Sequence, residues 1–236
     1  MDTALIIDVE PRAGHGVVGD SDVPVVVVEP LLGGPAVVAA LDLVDDVQLD
    51  AASGEVPHLR ALMDGDVPGD ATVMRLPDLV HALNAEAAMG AQQALIVSYL
   101  NLRPCAALLG SWVSQRSDIS RIRIACASVR GDTDAIGADA VHLAGALARM
   151  LLEEIDLPVM LSEAAGIAMT VAQSAEQAGA VMEAGRRWSL LRDNDGIDPE
   201  TPHMAGQADL CGVVPVVAMH GDRLVAAAWR PQVAHS

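Results

Sequence analysis

Residues Val23 to Leu41, VPVVVVEPLLGGPAVVAAL, constrain the fold more than any other stretch of the chain. The β-branched run has the pattern of a strand buried on both faces, and it stops at Glu29-Pro30. Beyond Gly33, Gly34 and Pro35 the apolar residues resume at helical spacing, which predicts a strand, a tight turn and a helix start. Ligands gather at such junctions in α/β proteins. The first helical turn carries unpaired backbone N–H groups there, and the carboxyl end of a parallel sheet lies open. The Glu29 turn is therefore the first place to look for a site.

The rest of the chain alternates in the same way. Ala4 to Val9 reads as a first strand, Asp45 to Asp50 as a short one, and His58 to Met63 as a helix. Ala71 to Met74 is a strand. Pro77 opens a helix in which Leu79, Val80, Leu83 and Ala87 recur on one face. Ala94 to Tyr99 is a strand, and Asn101 leads into a helix through Ala106, Leu109 and Val113. Ile122 to Ala127 is a strand, and Ala138 to Glu154 is the clearest helix of the sequence. Pro158 to Leu191 is predicted helical with breaks at Gly166 and Gly179, and Arg192 to Gly206 a polar loop. Gly212 to Trp229 reads as a hairpin turning at His220-Gly221-Asp222. This order predicts an α/β fold over residues 1–236 as one domain: a mixed, largely parallel sheet, helices on both faces and a C-terminal β-hairpin.

Composition narrows the function classes. Hydrophobic residues make up 52% of the chain but aromatics only 2%, with no Phe, so the core must be built from Val, Leu, Ile, Ala and Met. No apolar run reaches the roughly 18 residues of a membrane span, and no basic leader precedes the first apolar run, which predicts a cytoplasmic protein. The formal net charge is -18, and all 14 basic residues are Arg. Such acidity repels nucleic acid and anionic membranes, so neither is an expected partner, and the expected assembly is a homo-oligomer, by default an isologous dimer. The widely spaced Cys105, Cys126 and Cys211 suit neither a disulfide framework nor a paired-cysteine zinc motif.

No hydrolase triad motif, P-loop or zinc-protease helix is present. Glu29, at the end of the central strand, is either a ligand for a divalent cation, a general base or a solvated carboxylate. Gly33 and Gly34 could admit an anion to the helix, although Pro35 has no N–H to offer. Asp78 and His81 share a helix face, as an ion pair or as part of a site. His142 follows Asp139 on an apolar helix, where a half-buried structural histidine is the alternative to a functional one. His203, Asp209, Cys211 and His220 lie close in sequence at a spacing that fits no standard zinc site. Gly14-His15-Gly16-Val17-Val18-Gly19 has the literal spacing of a dinucleotide fingerprint. It leads through Asp20-Ser21-Asp22 into a strand rather than a helix, and so reads as a loop. Arg130 to Asp134 is a polar loop expected at the same sheet edge as Glu29.

Several short segments together resemble the 2-phosphosulfolactate phosphatase (ComB) family. Gln207-Ala208-Asp209, Val213-Val214-Pro215 and Gly221 look like its Gln-x-Asp, Val-Val-Pro and glycine-containing hairpin. Ile96, Ser98, Leu100 and Asn101 resemble its Ser-x-Leu-Asn strand end. Cys126-Ala127, Gly131, Asp139 and Ala144-Gly145 resemble its Cys-Ala-Gly strand, polar loop and acidic helix start. The resemblance implies a magnesium-dependent phosphoric monoester hydrolase of a small acidic substrate. It would place Glu29, Asp139 and Asp209 as catalytic carboxylates, Glu29 and Asp209 as magnesium ligands, and Gly33, Gly34, Asp78, His81, Ser98, Asn101 and His142 around the substrate. The sequence departs from the family where phosphate would bind: Glu29 stands for an Asp, Leu32 for an Arg, and Gly34, Pro35 and Ala36 for threonines. Losing an Arg fork forfeits charge-assisted bonds of about 1.5–3 kcal/mol each. The alternative is a degenerate homologue that has lost phosphatase activity and binds or transforms a less charged metabolite.

Overall fold

The structure is a computed structural model that describes residues 4–14, 23–51, 58–66, 73–127, 136–174, 177–192, 197–220 and 223–230. Nine strands form one sheet: β1 (Leu5–Glu10), β2 (Val25–Val28), β3 (Asp46–Asp50), β4 (Val73–Arg75), β5 (Gln93–Val97), β6 (Arg121–Cys126), β7 (Val159–Leu161), β8 (Val214–His220) and β9 (Arg223–Trp229). Their spatial order is β4-β3-β9-β8-β5-β2-β6-β1-β7. The block β5-β2-β6-β1-β7 is parallel. The antiparallel pair β8-β9 joins that block to the parallel pair β3-β4. The fold is thus α/β with a mixed, mostly parallel sheet, as the alternation of patterns predicts.

The helices are α1 (Gly33–Leu43), α2 (Leu59–Met63), α3 (Pro77–Ala88), α4 (Leu102–Gln115), α5 (Ala138–Glu154), α6 (Glu163–Ser174), α7 (Ala178–Ala184), α8 (Arg186–Leu191) and α9 (Thr201–Ala205). Among the described residues no helix is long and apolar enough to cross a membrane.

The opening stretch lies at the centre. All four residues of β2 are buried, and each fully buried Val contributes about 1.5–3 kcal/mol. Every residue of α1 from Gly33 to Leu41 is buried as well, because α2, α3 and strands β3, β5, β8 and β9 all pack on it. An all-apolar helix face is what a helix enclosed on every side requires. Gly33 and Gly34 lie in the first turn of α1 rather than ahead of it. Pro35 follows within that turn, where a missing N–H costs nothing.

The structure departs from the sequence reading in the C-terminal third. Val159–Leu161 is an edge strand on β1, not helix. Gly166 lies inside α6, and Gly179 is the second residue of α7. Instead α6 ends at Ser174, α7 begins at Ala178, and α7 gives way to α8 at Gly185. Three residues are too few for their pattern to announce a strand, and a glycine facing open space is tolerated in a helix: a Cβ on Gly166 would meet nothing. The polar stretch after Arg192 contains α9, whose Pro202 sits in its first turn. The C-terminal strands pair antiparallel, as their pattern predicts, and the pair lies between β3 and β5. His15 to Gly19, Arg130 to Asp134 and the Gly221-Asp222 turn lie outside the described residues.

Candidate functional site

The carboxylate of Glu29 is turned inward against the start of α1. It accepts hydrogen bonds from the backbone N–H groups of Leu31 at 3.3 Å, Leu32 at 3.1 Å and Gly34 at 2.7 Å. These are the orphan donors that a helix N-terminus offers to an anion, and here an internal anion takes them. The close approach depends on Gly34, since a Cβ there would lie 2.0 Å from the Glu29 carbonyl oxygen. The same carboxylate also accepts from Nη1 of Arg187, a residue of α8.

Arg187 completes a buried charge cluster. Its Nη2 donates to the carbonyl of Ala127, just past β6, at 2.9 Å, and its Nε lies 3.4 Å from Oδ2 of Asp139 in the first turn of α5. Glu29, Arg187 and Asp139 are 1%, 2% and 1% exposed, so solvent screens none of them. Burial pushes the Asp139 carboxyl above the usual aspartate range; the Arg187 charge opposes that rise and the Glu29 charge adds to it. Burial works against the charge on Arg187. The fields of Glu29, Asp139 and, from α3, the half-buried Asp78 outweigh it and hold the guanidinium protonated.

The structure therefore brings Glu29, Gly33, Gly34, Asp78 and Asp139 to one place, around a cation that the sequence reading did not single out. It does not bring Asp209 into that ion-pair cluster. Asp209 has φ 56°, a left-handed conformation that aspartate tolerates better than most residues. From there its carboxylate accepts from the N–H of Arg103 at 2.6 Å, capping α4, while its own N–H donates to Tyr99 O at 2.9 Å. His81 is exposed on α3.

Ser98 and Asn101 serve the backbone. Asn101 accepts from the N–H of Ser98 at 2.9 Å and donates to the carbonyls of Ile96 and Val213 at 3.1 and 3.2 Å, tying the end of β5 to the segment entering β8. Ser98 Oγ accepts from the N–H of Leu100 at 3.3 Å. Both residues are 0% exposed. Their sequence signal, a polar pair at a strand end, is real, but it marks a junction that the backbone needs.

His142, one turn beyond Asp139 on α5, is hydrogen-bonded through Nδ1 to the hydroxyl of Tyr99. Burial, with the Asp139 charge, raises the Tyr99 phenol far above its ordinary value, so the phenol keeps its proton. The pair forms the floor of a cleft of about 630 Å³ walled by α5, α6, α7 and α9. Tyr99 is the one tyrosine of the chain, a rarity at a strand end that could have flagged it. Arg187 had no such mark among 14 arginines.

A second buried cluster lies along β6. Arg123 reaches Glu86 of α3 at 2.5 Å, and its Nε lies 3.5 Å from Glu10 of β1. Glu86 also accepts from the N–H of Gly14 at 2.7 Å. This cluster anchors α3 to the sheet.

The Glu29 turn does not fit magnesium. Both carboxylate oxygens of Glu29 are engaged by N–H donors, and a guanidinium already lies between Glu29 and Asp139. Among the described residues no three His, Cys, Asp or Glu side chains gather as a metal-binding group. His203 pairs with Glu183 at 3.1 Å and Asp209 with Arg103 at 3.7 Å, so these two candidate ligands are held by other partners. Models of known protein families give no match to the chain, and a search of curated proteins gives none.

Proposed function

We propose that this chain is a divergent 2-phosphosulfolactate phosphatase-like protein without phosphatase activity, which binds or transforms a less charged small metabolite. The observation that carries this reading is the filling of the Glu29 turn from within. A phosphate ester approaching the N-terminus of α1 would find Leu31, Leu32 and Gly34 already donating to Glu29. It would also be repelled by that carboxylate. The cation at hand is Arg187, whose Nη1, Nη2 and Nε face Glu29, Ala127 and Asp139.

Calorimetric titration with magnesium, together with phosphate release from a panel of small phosphate esters, tests the reading. Neither stoichiometric magnesium binding nor phosphate release is expected. Stoichiometric magnesium uptake that disappears in Glu29→Gln, with phosphate released from any ester of the panel, would overturn it.

The same reading keeps the protein in the cytoplasm as a homodimer. What supports the dimer is the sheet edge at β7, where Leu157 and Met160 are 52% and 60% exposed. A monomer mass by light scattering would count against it.

A further inference from the structure

The cleft above Tyr99 and His142 shares no lining residue with the Glu29 turn, and His142 is the one substrate-contact candidate of the sequence reading that lines it. Its volume, about 630 Å³, lies within the range of small-molecule sites. His142, Ala146 and Arg149 stand at i, i+4 and i+7 on α5, one stripe of one helix, so floor, wall and rim come from a single rigid element. The opposite wall carries the amides of Gln173 and Gln177. The cleft exists because the residues between these polar groups are small. Gly206 lets α9 approach α7: a Cβ there would lie 2.7 Å from the N of Gly179.

We propose that this cleft binds a small hydroxy-monocarboxylate. Arg149 is exposed at the rim, and its planar fork matches a carboxylate. Of the other basic groups of the lining, His203 is paired with Glu183 at 3.1 Å and His142 is bonded to Tyr99, so the cation the cleft offers is Arg149, which favours a single negative charge. A chain of net charge -18 also disfavours a multiply charged anion. The two glutamine amides donate and accept, which suits hydroxyl groups. The Tyr99–His142 pair supplies a fixed polar floor where an aliphatic lining would have left a hydroxyl unsatisfied. The proposal rests on the reading that the Glu29 turn is closed to ligand, and the cleft is roughly twice the volume of the cavity of about 300 Å³ beside Trp112 and Arg116.

The test is calorimetric titration of the full chain with lactate, glycerate and gluconate, and with sorbitol as the neutral counterpart of gluconate. Saturable binding of at least one of the three acids is expected, with none for sorbitol. Arg149→Ala, at an exposed position, should weaken it at least about tenfold, the loss of one charge-assisted contact. Ala146→Phe, which fills the cleft, should abolish it. No saturable binding of any of the three acids overturns the proposal, as does an affinity unchanged by Arg149→Ala. Phosphate release by a protein that still holds a hydroxy acid in this cleft would instead end the proposed function and leave the cleft assignment standing.

Discussion

Replacing Arg187 with Met keeps most of the side-chain volume and removes the charge that holds Glu29 and Asp139 together. Two carboxylates, each 1% exposed, would then share a pocket without a cation, and the carbonyl of Ala127 would lose its donor. Removing one partner of a buried pair costs about 3–5 kcal/mol. Against a whole-domain stability of about 5–15 kcal/mol that is a large fraction, and at about 2–4 °C per kcal/mol for a chain of this size it lowers Tm by roughly 10 °C.

The deficit should also depend on pH. Asp139 titrates above the usual aspartate value of 3.8 in the folded protein. Between that value and its folded pKa the native state holds more protons than the unfolded one, so stability falls as pH rises through this window. Without Arg187, which now draws the Asp139 pKa down, the folded pKa moves further up and the window widens. Arg187→Met should therefore be closest to wild type in mildly acidic buffer and furthest from it at neutral pH. Urea unfolding at both pH values measures this through the midpoint, with the slope serving as a check on the two-state assumption. A deficit below about 1 kcal/mol, the size of an exposed pair, or one that does not change with pH, would refute the account of the cluster.

Three other outcomes follow from the same geometry. Gly34→Ala forces a methyl group against the Glu29 carbonyl, 2.0 Å from the ideal Cβ position, and should cost at least about 1–3 kcal/mol as overpacking; thermal unfolding within 0.5 °C of wild type would contradict it. The three cysteines are buried, with the Cys126 thiol pushed up to about 12 and Cys211 to about 11 by burial; they should ignore a disulfide reagent in the native protein and react together in urea, so a thiol that titrates natively is evidence against the packing around it. Glu29→Ala leaves the Leu31, Leu32 and Gly34 donors and Arg187 facing an empty place, so acetate or phosphate at about 10–100 times its Kd should stabilise this variant and not wild type by about 1–3 kcal/mol, read as a rise in Tm; equal responses would show that the turn does not hold Glu29 as its anion.

The alternation of elements was legible because β2, β5 and β6 are short apolar runs and the helices that follow them have their own period. Ala138–Glu154 is the clearest case, matched to the residue by α5. What escaped was decided by tertiary contact. Val159–Leu161 becomes a strand only because Leu5 to Ile7 is there to pair with it. The hairpin reads clearly from its own residues, yet its place between β3 and β5 depends on partners far along the chain. At the site, Glu29, Asp139 and His142 were visible as polar residues set into apolar stretches. Arg187 was not, since nothing local separates it from Arg186, although only Arg187 is buried.

The meaning of Glu29 follows from competition between an internal and an external anion. A free phosphate must give up translational and rotational freedom to reach the start of α1. The Glu29 carboxylate is tethered two to five residues from its three N–H partners, so its local concentration exceeds that of any metabolite. Displacing it would expose a buried carboxylate and separate it from Arg187, a cost of about 3–5 kcal/mol that a ligand must supply before it gains anything. An aspartate, one methylene shorter, would reach less far across the same turn. The longer side chain at position 29 thus spans the turn to three N–H donors and Arg187, and makes the Glu29 turn a closed support for the helix.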